Sequence, residues 1–247
     1  MNVVKECALH EPCAYISGNT QSIHYKIIHE CTKPACESLI LRGWRRFGAM
    51  YFRPICQECR KCESLKIDVM NYRFSKSERR ILRKNGAFET VVRHPTLTRE
   101  HLDLFHRYHL HKHHTRAWDT PKADPKNYYA SFVHGHGDFG FEVLYFDQER
   151  LIAVDLIDIL DEGISALYCY YDPEYTSYSL GKFTLLRQIE MARTLGLKWV
   201  YLGYYVQECP SLAYKADFKP YRELQGRPEE YEYPLWSTPS DENPPVQ

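Results

Sequence analysis

The chain lacks any hydrophobic run near the roughly 20 residues that a membrane-spanning helix needs, and it lacks the charged-then-apolar start of a signal peptide. It also lacks net charge, because its 32 Lys and Arg residues balance its 32 Asp and Glu residues. This balance argues against a protein that coats nucleic acid through bulk charge. We therefore expect a cytoplasmic protein that has no membrane partner.

The chain does contain enough apolar residues, 44% of its 247, for one large domain or two modest ones. Its charges are unevenly spread, since residues 42–116 are rich in Arg, Lys and His, while acids dominate residues 138–172 and the segment after Glu223. This distribution predicts a local basic face despite the neutral sum. The 20 tyrosines suit base stacking and polar interfaces, although ordinary packing at the edge of a core is the favoured explanation for any single one of them.

The hydrophobic patterns predict a mixed α/β (α+β) fold. We predict helices at 36–47, 75–85, 98–114 and 180–195, and strands at 139–147, 150–159, 164–171 and 199–205. In the first of these helices, Leu39 and Ile40 would face inward, while Arg42, Arg45 and Arg46 would stay near the surface. The order of elements in the second half is that of a GNAT-type acyltransferase domain.

A change of pattern near residues 86–95 predicts a domain boundary. Residues 1–90 would form a smaller N-terminal domain that holds a cysteine cluster and the Arg-Gly-Trp-Arg-Arg segment Arg42–Arg46. Residues 91–225 would form the GNAT-like transferase domain. Residues 226–247 are rich in proline and acids, which predicts a tail that carries little core.

The cysteine cluster has the spacing Cys56-x-x-Cys59-x-x-Cys62, with Cys13 upstream. Three thiols at this spacing in a tight turn can face one centre, and a fourth ligand would complete a zinc site or hold an iron–sulfur cluster. Cys13 is the natural fourth ligand, and the alternatives are Cys7, Cys31 and Cys36. The cysteines can equally pack as small apolar groups and bind nothing.

The six histidines between His101 and His114 also invite a metal interpretation, because His109 and His113 would share one face of a helix. No carboxylate among them is positioned as a third ligand. We therefore interpret this segment as a polar, partly basic helix.

Three segments carry a further pattern. The first is Cys13-x-Tyr15, and the second is Arg42–Gly48, followed by Tyr51 and the cysteine cluster. The third contains, in order, Tyr170–Pro173, Ser179–Gly181, Tyr201–Tyr205, Cys209, Tyr214-Lys215 and Phe218-x-Pro220. Together they resemble the arginyl-tRNA–protein transferase family, and most of all its bacterial branch, the aspartate/glutamate leucyltransferases, over about residues 13–222. The chain departs from the eukaryotic members at Ile16, where they have a second cysteine, and in the spacing of the cysteine cluster.

The resemblance implies an enzyme that moves an amino acid from an aminoacyl-tRNA onto proteins that begin with Asp or Glu, which marks them for N-end rule degradation. The short chain favours leucyl-tRNA as donor. The alternatives are arginyl transfer by the same chemistry and a non-catalytic tRNA- or protein-binding module on a decayed acyltransferase fold. The donor ester is already activated, so the chemistry requires no ATP, CoA or other cofactor. The loop Tyr175–Gly181 also lacks the glycines and arginine that related acetyltransferases use to bind CoA.

The resemblance also suggests the residues of the site. An acceptor carboxylate needs a cation, and the candidates are Arg45, Arg46 and Lys215. Asp172 and Tyr171 are the catalytic candidates, because such folds place reactive groups at this strand end; Asp172 would hold the acceptor's ammonium group or take its proton, or it is only a turn residue before Pro173. The remaining substrate-binding candidates are Tyr170, Tyr204, Tyr205 and Tyr214.

Overall fold

The computed structural model describes residues 1–116, 118 and 124–239. In this part of the chain the strands are β1 (Asn2–Pro12), β2 (Thr20–His29), β3 (Arg45–Phe47), β4 (Met50–Pro54), β5 (Glu63–Asp68), β6 (Glu89–Arg93), β7 (Gly140–Asp147), β8 (Arg150–Ile159), β9 (Gly163–Tyr171), β10 (Trp199–Tyr205), β11 (Tyr221–Leu224) and β12 (Trp236–Ser237). The helices are α1 (Lys33–Leu41), α2 (Lys76–Lys84), α3 (Arg99–Arg116), α4 (Pro125–Tyr128), α5 (Leu180–Thr194) and α6 (Pro210–Ala213), with short 3-10 turns at Pro173–Tyr178 and Tyr214–Asp217 and a π turn at Tyr129–Val133.

The strands form two sheets. One has four strands in the order β1-β2-β4-β3, and the other has eight in the order β12-β11-β5-β10-β9-β8-β7-β6. The mixed α/β class is thus confirmed. The larger sheet takes β5 from the first ninety residues and places it between β11 and β10, so both predicted domains contribute to it. The division at residue 90 itself stays a prediction.

The predicted helix at 36–47 is wrong in its second half. Thr32 caps the N-terminus of α1, and Pro34 occupies its first turn. The helix ends at Leu41 because Gly43 adopts a left-handed conformation with φ of 80°, after which the chain turns back as β3. Arg45 and Arg46 therefore lie in a strand and are buried, being 8% and 3% exposed, and the prediction that they stay near the surface is also wrong.

The segment after residue 225 is partly built into the fold. Trp236 of β12 packs against the apolar cluster that contains Trp44, and β12 pairs with β11. Arg42 and Arg53 donate hydrogen bonds to backbone carbonyl oxygens between Pro228 and Glu232. Residues 240–247, the end of the predicted tail, lie outside the described residues. In the part of the chain that the structure describes, no helix is both long and apolar enough to cross a membrane.

Strands β9 and β10 pair only over their first residues and then separate. The candidate site lies in the gap between them. Their parallel pairing covers only Trp199–Tyr201 of β10 and Gly163–Ser165 of β9. Beyond these residues β10 continues beside β5, with a bulge between Tyr201 and Gly203. A gap therefore opens between the second half of β9 and the second half of β10.

Candidate active site

Arg45 fills the gap between β9 and β10. Its guanidinium donates one hydrogen bond to the Ser165 hydroxyl at 3.1 Å and another to the carbonyl oxygen of Ala166, both in β9. On the β10 side lies Gly203, with φ of 71°, where an added Cβ would stand 2.5 Å from the Arg45 Nε. Burial lowers the pKa of Arg45 from its ordinary value. The side chain therefore bridges the two strands where they no longer pair with each other.

Lys215 approaches the same gap from the 3-10 turn Tyr214–Asp217. Its Nζ donates to the backbone oxygen of Tyr204 in β10 at 2.7 Å. Burial, followed by the nearby charge of Arg45, lowers the pKa of Lys215 to about 7. Among the described residues, neither cation has a carboxylate within salt-bridge distance. A buried arginine and a partly buried lysine, neither paired with a carboxylate among the described residues, are suited to bind an anion.

Tyrosines from three elements form a wall beside these cations. They are Tyr108 of α3, Tyr168 and Tyr171 of β9, and Tyr214 of the 3-10 turn. The rings of Tyr108 and Tyr171 lie 5.0 Å apart between centroids. Burial is the main cause that raises the pKa of Tyr108, and the next contributions come from Tyr168, Cys169, Tyr171 and Tyr214, which therefore surround its hydroxyl. Such flat rings with polar edges suit stacking against bases.

Asp172 lies in an environment that makes it a poor proton acceptor. Its side chain is fully buried, and one carboxylate oxygen accepts hydrogen bonds from Arg107 at 2.9 Å and Arg150 at 2.7 Å. The other oxygen accepts from the backbone N–H of Glu174 and caps the turn that follows. Although burial raises its pKa, these hydrogen bonds and charges outweigh burial, and the pKa of Asp172 lies below its ordinary value. A carboxylate held in this way is a weak base.

Three other predicted residues lie in buried networks. The Arg46 guanidinium pairs with Asp158, with its Nε 2.8 Å from the carboxylate, and it also donates to the Gly48 carbonyl oxygen. The hydroxyl of Tyr170 lies 2.5 Å from that of Tyr128. The Tyr204 hydroxyl is 2.9 Å from the Gly43 oxygen and links β10 to the Arg-Gly-Trp-Arg-Arg segment. These contacts fix the walls of the site, and substrate contacts by the three residues stay predictions.

Tyr205, at the end of β10, is partly exposed and lies opposite Glu63 of β5. Burial and the nearby carboxylates of Glu63 and Glu223 raise the pKa of its hydroxyl. It therefore lies on the β5 side of β10, and its predicted place in the aminoacyl pocket stays untested.

The four predicted metal ligands lie near one another, beside Tyr15. Burial first, then Cys13, Cys56 and Cys59, raise the pKa of the Cys62 thiol to about 12. Such a set of soft donors suits zinc or iron chemically. The described residues nevertheless contain no group of three or more His, Cys, Asp or Glu side chains arranged to hold a metal ion. The arrangement therefore does not form a ready metal site, and the zinc or iron–sulfur cluster stays a prediction.

A cavity of about 360 Å³ lies next to this cysteine cluster. Its charged lining consists of Arg42, Arg53, Arg60, Arg227, Glu63 and Glu223. Arg53 is buried, and its Nε has no hydrogen-bond partner among the described residues. Tyr204 and Cys62 also line this cavity, which therefore borders the residues around Arg45.

Two pairs of site residues were not predicted from the sequence. Asp155 of β8 is fully buried and accepts a hydrogen bond from Gln188 of α5 at 2.8 Å. Burial raises the pKa of Asp155 to about 7. His109 of α3 lies 2.7 Å from the Tyr168 hydroxyl. In the sequence, the only indication of either pair is a polar residue whose neighbours in the same strand or helix are apolar.

The gap between β9 and β10, bordered by two cations and by tyrosine rings, is a place where two substrates of a transferase can meet. The model described as "Arginine-tRNA-protein transferase, C terminus" matches residues 100–225, and the corresponding N-terminus model matches residues 11–80. The chain belongs to this family, and the protein is a transferase. The resemblance inferred from the three sequence segments is thus confirmed.

Several relatives carry the name aspartate/glutamate leucyltransferase. The one from Campylobacter jejuni (strain 81116) is 44% identical over 226 residues, which is 92% of this chain and 95% of the relative. The one from Helicobacter hepaticus is 34% identical over 96% of this chain and 98% of the relative. Among solved structures, the chain is similar to FemX, with a TM-score of 0.44 and 10% identity over 72% of this chain and 61% of that one. It is also similar to a C-terminal domain of a lysylphosphatidylglycerol synthetase from Agrobacterium fabrum, with a TM-score of 0.44 and 12% identity over 59% and 47% of the two chains.

Proposed function

We propose that the protein transfers leucine from leucyl-tRNA to the α-amino group of proteins that begin with Asp or Glu, and so marks them for N-end rule degradation in the cytoplasm. The observation that carries the proposal is the pair of neighbouring cations, the buried Arg45 and the partly buried Lys215, at the gap between β9 and β10. The names of the relatives support both the donor and the acceptor.

The two cations would bind the side-chain carboxylate of the acceptor. Arg45 has hydrogen bonds to β9, and Lys215 has one to β10, so both are held in place before the acceptor arrives. A receptor that is already ordered loses little entropy on binding. A neutral first residue would leave both cations without an anionic partner and cover them from water, which is costly. Selectivity for Asp and Glu over neutral residues follows from this arrangement.

The donor would bind along the tyrosine wall and the adjoining arginine-lined cavity. Its 3′ end can stack on the more exposed rings of the wall, Tyr171 and Tyr214, while its phosphates can pair with the cavity's arginines. Arg60 is the most available of these arginines, because it is exposed and has no ion pair or hydrogen bond among the described residues, whereas the other three donate to backbone carbonyl oxygens. The element order of the second half supports a GNAT-type domain, whose separated strands would hold the aminoacyl ester between donor and acceptor.

The chemistry needs positioning, removal of one proton and stabilisation of a tetrahedral oxyanion. A free α-amino group has a pKa of about 8, so a useful fraction is neutral at physiological pH. The neutral nitrogen attacks the ester carbonyl carbon and forms an amide bond, and the ribose oxygen of the tRNA leaves with a proton. No ATP, CoA or metal enters this balance.

One observation favours arginine as the donated residue. An arginine pocket needs a buried acid, and Asp155 is a buried carboxyl group close to Cys169 and Tyr214. Its raised pKa, about 7, means that half of it is neutral near that pH, and a bound guanidinium would lower it. If the donated residue is leucine, Asp155 would stay neutral and act only as the hydrogen-bond partner of Gln188.

A donor competition tests the proposal. Purified protein receives equal amounts of leucyl-tRNA and arginyl-tRNA with one Asp-starting peptide, and mass spectrometry identifies the product. We expect leucine on the peptide and no product on a matched Ala-starting peptide. A product that carries only arginine would establish the second candidate, and no transfer from either tRNA would refute aminoacyl transfer itself.

A further inference from the structure

His109 and Tyr168 form a hydrogen-bonded pair at the exposed part of β9. The His109 Nε2 lies 2.7 Å from the Tyr168 hydroxyl, and the two rings are nearly parallel, with 4° between their planes. The other ring nitrogen, Nδ1, lies 2.8 Å from the carbonyl oxygen of Phe105, one helical turn earlier in α3. His109 is buried, whereas Tyr168 is partly exposed because β10 has already separated from β9 at this point.

These contacts determine which ring nitrogen carries the proton. A carbonyl oxygen can only accept, so Nδ1 of His109 must be the donor to Phe105. In a neutral ring Nε2 then has a free electron pair, and the Tyr168 hydroxyl donates to it. Burial lowers the pKa of His109, which keeps the ring neutral at physiological pH. The pair is therefore ready to accept a proton at Nε2.

Tyr168 is also close to the proposed carboxylate receptor. Arg45 donates to the oxygen of Ala166, and Tyr168 follows two residues later, just past a bulge in the pairing of β9 with β8. Phe47, two residues after Arg45 in β3, places its ring 6.0 Å from the Tyr168 ring. An acceptor residue whose side-chain carboxylate bound at Arg45 would have its α-amino group only a few bonds away, next to the part of β9 that carries Tyr168.

We propose that Tyr168 is a catalytic residue that takes the proton from the attacking amine, and that His109 is the positioning residue that receives the Tyr168 proton in turn. This inference rests on the proposed function. As the amine nitrogen bonds to the ester carbonyl carbon, its proton moves to the Tyr168 oxygen, and the hydroxyl proton moves to Nε2 of His109. When the carbon–oxygen bond to the tRNA ribose breaks, the proton returns by the same route to the ribose oxygen. No atom or charge is left over.

Tyr168 stays neutral throughout this step, because it gives its own proton to His109 as it takes the proton of the amine. Burial is the main cause that raises the pKa of Tyr168, so a free phenolate does not form. The titratable groups packed against His109 are Tyr168 from β9 and Tyr108 and His106 from α3 itself. None of these is an acid that would hold His109 protonated between turnovers, so the ring is free to receive a proton each time.

The test uses single-turnover transfer from leucyl-tRNA to an Asp-starting peptide, with both substrates saturating. We expect Tyr168→Phe and His109→Gln each to lower the rate about 100-fold, while KM for the peptide and for the tRNA changes less than threefold. The Gln side chain still accepts the Tyr168 hydrogen bond, so a fall with His109→Gln reports proton transfer and not lost packing. The matched controls are Tyr175→Phe and His114→Gln, at hydroxyl and imidazole groups away from the gap, and both should transfer at the wild-type rate.

The pH profile supplies a second readout. At acid pH both proteins lose the neutral peptide amine, whose pKa is about 8, but only the wild type also loses the neutral ring of His109. The wild-type rate should therefore fall more steeply than the His109→Gln rate, and the ratio of the two rates should drop as the pH falls. A Tyr168→Phe variant that keeps a rate within threefold of wild type, or a ratio of wild-type to His109→Gln rates that does not change with pH, would overturn the inference. Failure of the proposed function is distinguishable, because the wild-type protein would then transfer nothing.

Discussion

A Cβ added to Gly203 would stand 2.5 Å from the Nε of Arg45, which is closer than any real contact of this kind. The absence of a side chain at this position in β10 therefore lets the guanidinium occupy the gap between the strands. In the sequence, Gly203 and Arg45 are far apart and belong to two different motifs. In the fold, one residue makes room for the other.

Replacing Gly203 with Ala should displace the Arg45 guanidinium. We expect kcat/KM for an Asp-starting peptide to fall at least tenfold, which corresponds to about 1.4 kcal/mol. The matched control is Gly196→Ala, because Gly196 has the same φ of 71° with nothing within 4 Å of an added Cβ. Both variants place an alanine in a left-handed conformation, and this strain lowers the free energy of unfolding by about 1 kcal/mol. Equal activity of the two variants, measured per folded molecule, would show that Arg45 is not needed in its place.

Lys215 should make acceptor selectivity depend on pH. Its pKa is lowered to about 7, so its ammonium is charged below that pH and neutral above it. The ratio of kcat/KM for an Asp-starting to an Asn-starting peptide should therefore fall about tenfold as the pH rises from about 6 to about 8. Using the ratio cancels the titration of the peptide's own amine. Lys215→Arg stays charged and should give a flat ratio, and a flat ratio in the wild type would contradict the assignment.

The buried pair Arg46–Asp158 should matter mainly for stability. Removing one partner leaves an unpaired buried charge, so Arg46→Met should lower the free energy of unfolding by about 3–5 kcal/mol in urea titrations. A double variant that replaces both residues with apolar side chains should recover much of that loss. If Arg46→Met were instead stable and raised only the peptide KM, Arg46 would belong to the substrate site after all.

The cysteine cluster should not take part in the transfer chemistry. Protein treated with a zinc and iron chelator under anaerobic conditions should keep a transfer rate within twofold of the untreated protein, because the ester needs no metal to react. Metal analysis before and after treatment is the control that shows what was removed. Activity that disappears with the metal and returns when zinc or iron is added back would contradict this expectation.

Much of the fold follows from local sequence. The strands predicted at 139–147, 150–159 and 199–205 are confirmed, as is the helix that ends before Gly196, because alternation and a glycine end signal are local properties. The error at residues 36–47 is also local, since the four charged or aromatic residues after Gly43, Trp44–Phe47, fit either a helix or a strand. What decides between them is the partner strand β4, which sequence patterns do not reveal.

The site is harder to predict because its residues meet through the tertiary fold. Lys215 was chosen from a motif and does lie beside Arg45, yet the motif says nothing about the Tyr204 carbonyl that holds it. Asp172 has the sequence context of a reactive strand end, and only the fold brings Arg107 and Arg150 to it. Tyr168 belongs to no predicted site, and His109 stands out in the sequence only as one of six histidines that suggest a polar helix. Their relation depends on how α3 packs across β9, which is a property of the whole sheet.

The central claim is that the protein recognises the carboxylate of an N-terminal acidic residue. The most direct measurement compares kcat/KM for leucyl transfer to two peptides that differ only in a first Asp or Asn, which have nearly the same size and shape. We predict that the Asp peptide is favoured at least tenfold at pH about 6.5, since Asn leaves the charges of Arg45 and Lys215 without a partner. Equal values for the two peptides would contradict the account.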